Sequence, residues 1–142
     1  MKIRKAQQDD IYDIATIFRI ETSKKPYCQK WTDKTALENI KSNFNKNDIY
    51  VMVLDNNIIG FIICEQSSDK KKVYVEELWI LGKHQRKGYG EKVMKEIEKI
   101  YRQKQFNSIS LVTDKRSMAF KFYKKINYKK HSVNVFLEKK LK

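Results

Sequence analysis

The sequence predicts an α/β fold, with a mixed central sheet of about six or seven strands flanked by about four helices. Three observations carry this. Apolar residues at helical spacing alternate with short runs of strand formers. Residues 49–65 read as a β-hairpin, so the first half of the sheet is antiparallel. From Val73 onward, strand and helix patterns follow one another in turn.

Ile3 opens a short strand. Asp9 or Asp10 can cap the helix that follows, because a carboxylate oxygen accepts a free first-turn N–H. Ile11, Ile14, Ala15 and Phe18 form that helix's apolar stripe. Residues 21–31 have no period and contain the only proline, which reads as a loop or a helix break. A second helix starts at Thr32 or Asp33, with Ala36, Leu37, Ile40 and Phe44 inward. In the hairpin, Asp55-Asn56-Asn57 is the turn, since Asn and Asp tolerate positive φ. Gly60 inside the second strand suggests a bulge.

Residues 66–72 are a polar turn, and Val73–Leu81 is a long strand carrying Glu76 and Glu77. The clearest helix covers about 88–104, with Tyr89, Val93, Ile97, Ile100 and Tyr101 on one face. Ser108–Thr113 reads as a strand and Ser117–Ile126 as a helix. Tyr128–Leu141 reads as one or two final strands, with Val133, Val135 and Leu137 alternating.

The bulk numbers narrow the function classes. A chain of 142 residues with 41% apolar residues, one proline and four glycines reads as one domain over 1–142 without a long linker. No apolar run approaches the roughly 20 residues of a bilayer span, and the N-terminal residues lack the apolar core of a secretion signal. The expectation is a cytoplasmic protein with no membrane partner. Cys28 and Cys64 are then free thiols. With two histidines, His84 and His131, and no Cys-x-x-Cys pair, no metal is expected. The net charge of +14 would attract any polyanion. Its lysines are dispersed, however, and no finger, RNA-binding sheet motif or recognition helix stands out. Nucleic acid is therefore not the expected partner, and a basic nucleic-acid-binding module is the alternative reading.

Ile80 through Gly90 carries the chemistry. A strand runs into Gln85-Arg86-Lys87-Gly88-Tyr89-Gly90, and a helix follows at once. A helix's first turn has unpaired N–H groups and partial positive charge, so it can bind an anion. Gly88 and Gly90 let the backbone approach a phosphate, with Arg86 and Lys87 alongside. Val93 breaks the dinucleotide pattern Gly-x-Gly-x-x-Gly, and the Gly-Lys-Ser/Thr ending of a P-loop is absent. A glycine-eased turn with a solvated basic tip fits these residues as well as an anion site does.

This segment resembles the coenzyme-A-binding motif of the GNAT superfamily of N-acetyltransferases, Val-x-Pro-x-x-Arg-Gly-x-Gly-x-Gly/Ala. Gln85 stands for the common Arg, Arg86 for the first Gly and Gly82 for the Pro. Ala119-x-x-Phe122-Tyr123-x-Lys125-x-Asn127-Tyr128 is similar to the family's Ala-x-x-Phe-Tyr-x-Lys-x-Gly-Phe. Arg116 stands where the family usually has Asn, and Asn127 replaces a Gly. The resemblance extends over essentially the whole chain.

The resemblance implies an acetyl-CoA-dependent N-acetyltransferase without a metal, in which the amine attacks the thioester directly. It assigns the cofactor to Leu78, Trp79, Ile80, Leu81, Gln85, Arg86, Lys87, Gly88, Tyr89, Gly90, Arg116, Ala119 and Tyr123. Tyr123 matches the tyrosine that protonates the departing thiolate. Glu76 or Glu77 would be the base. Strand alternation groups Glu76 with Leu78 and Ile80, and Glu77 with Val75 and Trp79, unless a bulge changes the parity. Tyr27, Cys28 and Trp31 fall in the loop that shapes the acceptor site, with core packing the plainer fate for Trp31. The acceptor is a small-molecule or protein amine. The strong positive charge ranks polyamines and aminoglycosides lower, unless the pocket is locally acidic. Dimers are common in the family, so a homodimer is allowed for, and a GNAT fold that only binds CoA is a further alternative.

Overall fold

The structure is a computed structural model and describes residues 1–131, 133 and 135–142. These fall into two compact units, Met1–Val112 and Thr113–Lys142. The first holds β1 (Lys2–Lys5), α1 (Ile11–Ser23), α2 (Asp33–Lys46), β2 (Asp48–Leu54), β3 (Asn57–Gln66), β4 (Lys72–Ile80), α3 (Tyr89–Gln103) and β5 (Ser108–Ser110). The sheet order is β1-β2-β3-β4-β5; the first four strands are antiparallel and β5 runs parallel to β4.

The period-2 pattern of the strands sets the layers. Ile49, Val51, Phe61 and Ile63 face one side, packed with Ile14, Ile17, Phe18, Ala36 and Ile40 of α1 and α2. Tyr50, Met52, Ile62 and Cys64 face the other side and are buried. There Tyr101 of α3 donates its hydroxyl to Asp48 Oδ2 at 2.6 Å.

Local chemistry sets the boundaries. Thr32 caps α2 by accepting from Thr35 N–H at 3.0 Å. Asp10 behaves differently from expectation. Its carboxylate turns back to Gln7 N–H at 2.7 Å and to the Arg4 guanidinium at 2.7 and 3.1 Å, so it caps the 3-10 turn Gln8–Asp10 that leads into α1 rather than α1 itself. Asp55 and Asn56 take φ of +50° and +65°, the conformation a two-residue hairpin turn requires. The sheet slips at Ile59, beside Gly60 as expected. A Cβ on Gly60 would lie 2.6 Å from the Trp79 carbonyl oxygen, so the two strands need a glycine there.

The second unit contains α4 (Met118–Lys125), capped by the Ser117 hydroxyl, which accepts from Phe120 N–H at 3.2 Å. Asn127 takes φ +73°, as a left-handed cap does. Its N–H bonds Lys124 O at 3.1 Å, while Tyr128 N–H bonds Tyr123 O at 2.9 Å. The strands expected over Tyr128–Leu141 are not found among the described residues; positions 132 and 134 lie outside them. Val133, Val135 and Leu137 are exposed. Alternation supplies an apolar face but not the hydrogen-bonded neighbour that makes a strand, so among the described residues the sheet has five strands rather than six or seven.

Asp48 also accepts from Lys5 Nζ and Gln66 Nε2, each at 2.6 Å. Burial alone would raise its pKa, but the bonds from Lys5, Tyr101 and Gln66 hold it at about 2. A depressed carboxylate stabilises the fold above its unfolded pKa and loses that contribution as pH falls through the folded value. Relative to Asp48→Asn, the native chain should therefore be more stable near pH 7, by on the order of 2 kcal/mol. That advantage should disappear between about pH 4 and pH 2 in urea unfolding curves. A constant difference across this range would mean that Asp48 acts only by shape.

Candidate active site

Strand β4 loses a neighbour part-way along. It pairs with β5 only at Lys72, Val73 and Tyr74. Beyond Tyr74, among the described residues, it has β3 on one side and no paired strand on the other. Leu81 N–H donates to Ile59 O at 2.8 Å. By antiparallel alternation, Trp79 and Glu77 then direct their main-chain groups to β3, and Leu78 and Ile80 direct theirs to the open edge. The Ile80 carbonyl accordingly accepts from Gln85 Nε2 at 2.7 Å. Such an edge can pair with one more extended chain.

The same strand carries a bulge. Glu77 pairs with Ile63 and Val75 with Cys64, so Glu76 is the extra residue. The parity expected for an unbroken strand is thereby corrected: Glu77 shares a face with Trp79 but not with Val75. Glu76 shares a hydrogen bond with Glu65 of β3. That shared bond, partial burial and the charges of Glu65 and Glu77 push the Glu76 carboxyl up to about 7, against a smaller opposing pull from Lys46. Glu77 accepts from Trp79 Nε1. Burial raises the Glu77 pKa, and the Trp79 bond offsets part of that rise.

The loop 24–31 approaches this face. Tyr27 meets Trp79 edge to face, with centroids 4.9 Å apart. Trp31 packs edge-on against Phe18 at 4.9 Å and stands half-buried at the core. Cys28 is exposed, at φ +51°.

After β4 a single turn of 3-10 helix, Gly82–His84, leads to α3. Arg86 takes φ +61° and Gly88 φ +83°, and Gly88 caps α3. Arg86, Lys87 and Gly88 are exposed, and Tyr89 and Gly90 half-buried. The first-turn N–H groups of a helix have no partners within it, so a glycine-containing turn leading into a helix N-terminus is a setting that can attract an anion. The Gln85 side chain does not take part; it turns inward to Ile80 O and, at 3.2 Å, to Glu21 Oε1.

The second unit carries the remaining sequence-assigned residues. Tyr123 is buried, with its ring against Phe122 and Tyr128. Ala119 is half-buried. Arg116 is exposed and pairs with Asp114 at 2.7 Å, holding that carboxyl at about 2.

The model of the "Acetyltransferase (GNAT) family" matches residues 11–128. The chain belongs to the GNAT acetyltransferases. No curated protein matches its sequence. Among solved structures it is similar to a possible acetyltransferase from Clostridium difficile 630, with TM-score 0.83, 16% identity, and 99% of this chain and 98% of that chain covered. It is also similar to an aminoglycoside acetyltransferase from an uncultured soil metagenomic sample, in complex with sisomicin, at TM-score 0.72, 20% identity and coverage of 99% and 96%. A third is a predicted acetyltransferase with acetyl-CoA from Clostridium acetobutylicum, at TM-score 0.68, 17% identity and coverage of 96% and 95%. These likenesses establish the shared fold.

The GNAT turn explains one of its own departures. The family's first glycine is Arg86 here, and Arg86 sits in the left-handed region where glycine carries no penalty. Two residues of the site had no signal in the sequence. Glu21 falls where the apolar stripe of α1 ends, so the segment reads as loop, although the helix runs to Ser23. Glu65 is seen beside Glu76 only once the β3–β4 register is known. Among the described residues, no group of three or more His, Cys, Asp or Glu side chains is placed to hold a metal ion, and no helix is long and apolar enough to cross a membrane.

A left-handed non-glycine residue costs roughly 1 kcal/mol. Arg86→Gly should therefore raise the stability by up to about 1 kcal/mol in denaturant unfolding. A loss of stability would show that Arg86 is held by contacts stronger than the strain.

Proposed function

We propose that the chain transfers an acetyl group from acetyl-CoA to a primary amine by direct attack of the amine on the thioester. One observation carries this reading: the open edge of β4 leads directly into the left-handed turn and N-terminus of α3. A pantetheine arm needs main-chain partners and a pyrophosphate needs N–H groups, and this one segment offers both. Acetyl-CoA supplies the activated acetyl group.

In this reading the main-chain groups of Leu78 and Ile80 pair with the pantetheine arm. An N–H on that edge also stabilises the negative charge that develops on the thioester oxygen. Trp79 and Leu81 keep that stretch in place, since both pack against the core beneath it. The N–H groups of Gln85–Gly90 hold the pyrophosphate, with Arg86 and Lys87 supplying charge. Arg116, Ala119 and Tyr123 are assigned by their match to the family motif: the first two to the cofactor, Tyr123 as the acid that protonates the leaving thiolate.

Glu76 is the base. Its carboxyl is exposed and titrates near neutrality, where a general base works best. Glu77 is more enclosed and its carboxylate is engaged by Trp79. Tyr27 and Cys28 line the acceptor side, while Trp31 supports the loop from below. The acceptor is a small-molecule or protein amine. Three carboxylates, Glu65, Glu76 and Glu77, share one face of the strand pair. A cationic acceptor is thus compatible with the site despite the net charge.

The test is CoA thiol release with acetyl-CoA and a panel of amines, followed from pH 5.5 to 9. Because the Glu76 pKa is raised, its basic form accumulates as pH rises through about 7. kcat/KM should rise over the same range and then level. Glu76→Gln should remove that limb and lower kcat about a hundredfold. Glu65→Gln should move the limb to lower pH, because the shared hydrogen bond is the largest cause of the rise. An unchanged profile in Glu76→Gln would exclude it as the base. No turnover with any amine, alongside tight CoA binding, would favour a CoA-binding protein without catalysis.

A further inference from the structure

Glu21 is a buried carboxylate, 4% exposed, near the end of α1. It accepts Lys24 Nζ at 2.7 Å, Gly82 N–H at 3.2 Å and Gln85 Nε2 at 3.2 Å. The Gln85 amide nitrogen also holds Ile80 O at 2.7 Å. One side chain thus joins the end of α1, the start of loop 24–31, the end of β4 and the turn before α3. Burying a carboxylate is costly unless its oxygens are bonded. Here the compensating donors come from the segments proposed to hold the cofactor and the acceptor.

The loop is held at several points, and Trp31 packs against Phe18 at its far end. Tyr27 and Cys28 N–H both bond Lys24 O at 3.0 Å, and Gln29 N–H bonds Thr22 O at 2.9 Å. The Tyr27 ring rests on Trp79. Lys24 is therefore the anchor at the start of the loop, and Glu21 holds its side chain at 2.7 Å. Gly82 fits this arrangement, since a Cβ there would lie 2.9 Å from Lys24 Nζ.

We propose that Glu21 is a positioning residue that couples the cofactor turn Gly82–Gly90 to the acceptor loop 24–31, so that coenzyme A bound at the turn orders the loop. The proposal rests on the acetyltransferase reading of the turn. Phosphate on the turn's N–H groups steadies Gly82 and Gln85, and both hold the same carboxylate that holds Lys24. Coupling through a shared group is reciprocal, so an ordered loop also favours cofactor binding.

The test combines calorimetric titration of coenzyme A with amide hydrogen exchange on the full chain, for wild type, Glu21→Gln and Gln85→Ala. In wild type, saturating coenzyme A should slow exchange across 24–31 by about fivefold or more, as well as across the turn. In Glu21→Gln, coenzyme A should bind about tenfold more weakly and protect the turn but not the loop. Gln85→Ala alters an exposed position and leaves the buried carboxylate in place. It should show the same uncoupling, and it decides the matter if Glu21→Gln fails to fold. Equal loop protection in all three proteins overturns the coupling and leaves the acetyltransferase reading intact, as does a wild-type loop unaffected by bound coenzyme A. A wild type that does not bind coenzyme A overturns both.

Discussion

Main-chain amides and carbonyls need partners, and β4 has too few strands to supply them. Where β5 leaves the sheet after Tyr74, Leu78 and Ile80 are left facing an edge with no paired strand among the described residues. Much of the surrounding structure follows from managing that edge. Gln85 caps the last carbonyl, Ile80 O, and Glu21 steadies Gln85 in turn. Gly60 lets β3 come close enough to hold β4 from the other side. The bulge at Glu76 rotates the strand, so that a carboxylate stands at the start of the open stretch. An edge left unpaired inside a protein is a hazard unless something occupies it, and in a GNAT acetyltransferase a substrate can do so.

Electrostatics works on two scales here. The chain as a whole carries +14, which favours association with an anionic cofactor. On the α1–α2 face of the sheet, Glu65, Glu76 and Glu77 gather three negative groups, with Lys46 the cation that opposes them at Glu76. Total charge is thus a poor guide to the acceptor. A locally acidic patch can attract a cation even on a chain whose total charge repels it. The field near a site depends on its nearest groups, because salt screens the distant ones within about 10 Å.

Most of the fold was legible because periodicity reports burial. Ile14, Phe18, Ile40, Val51, Phe61 and Ile97 fall on the apolar stripes and strand runs of the sequence and are fully or almost fully buried. The hairpin turn was legible because Asp and Asn accept the positive φ it requires. The turn before α3 is legible as a glycine-containing motif, and Asn127 as a left-handed cap. Strand register was not legible, because pairing is a relation between distant residues. The parity of Glu76, its pairing with Glu65 and the loss of β5 beyond Tyr74 all depended on it. Glu21 was hidden for another reason: a buried carboxylate interrupts an apolar stripe and reads as its end. Among its described residues the alternating tail forms no strand, because an apolar face does not by itself make one.

The central claim is that the open edge of β4 and the turn after it form one site for acetyl-CoA. Residue-resolved NMR of the amide groups during titration with acetyl-CoA, at low and at moderate salt, tests it most directly. The account requires the Leu78 and Ile80 amides to shift and gain protection together with Gly88 and Gly90, and to do so at both salt concentrations. Small shifts spread over the lysine-rich surface that vanish with added salt, and leave Leu78 and Ile80 untouched, would contradict it.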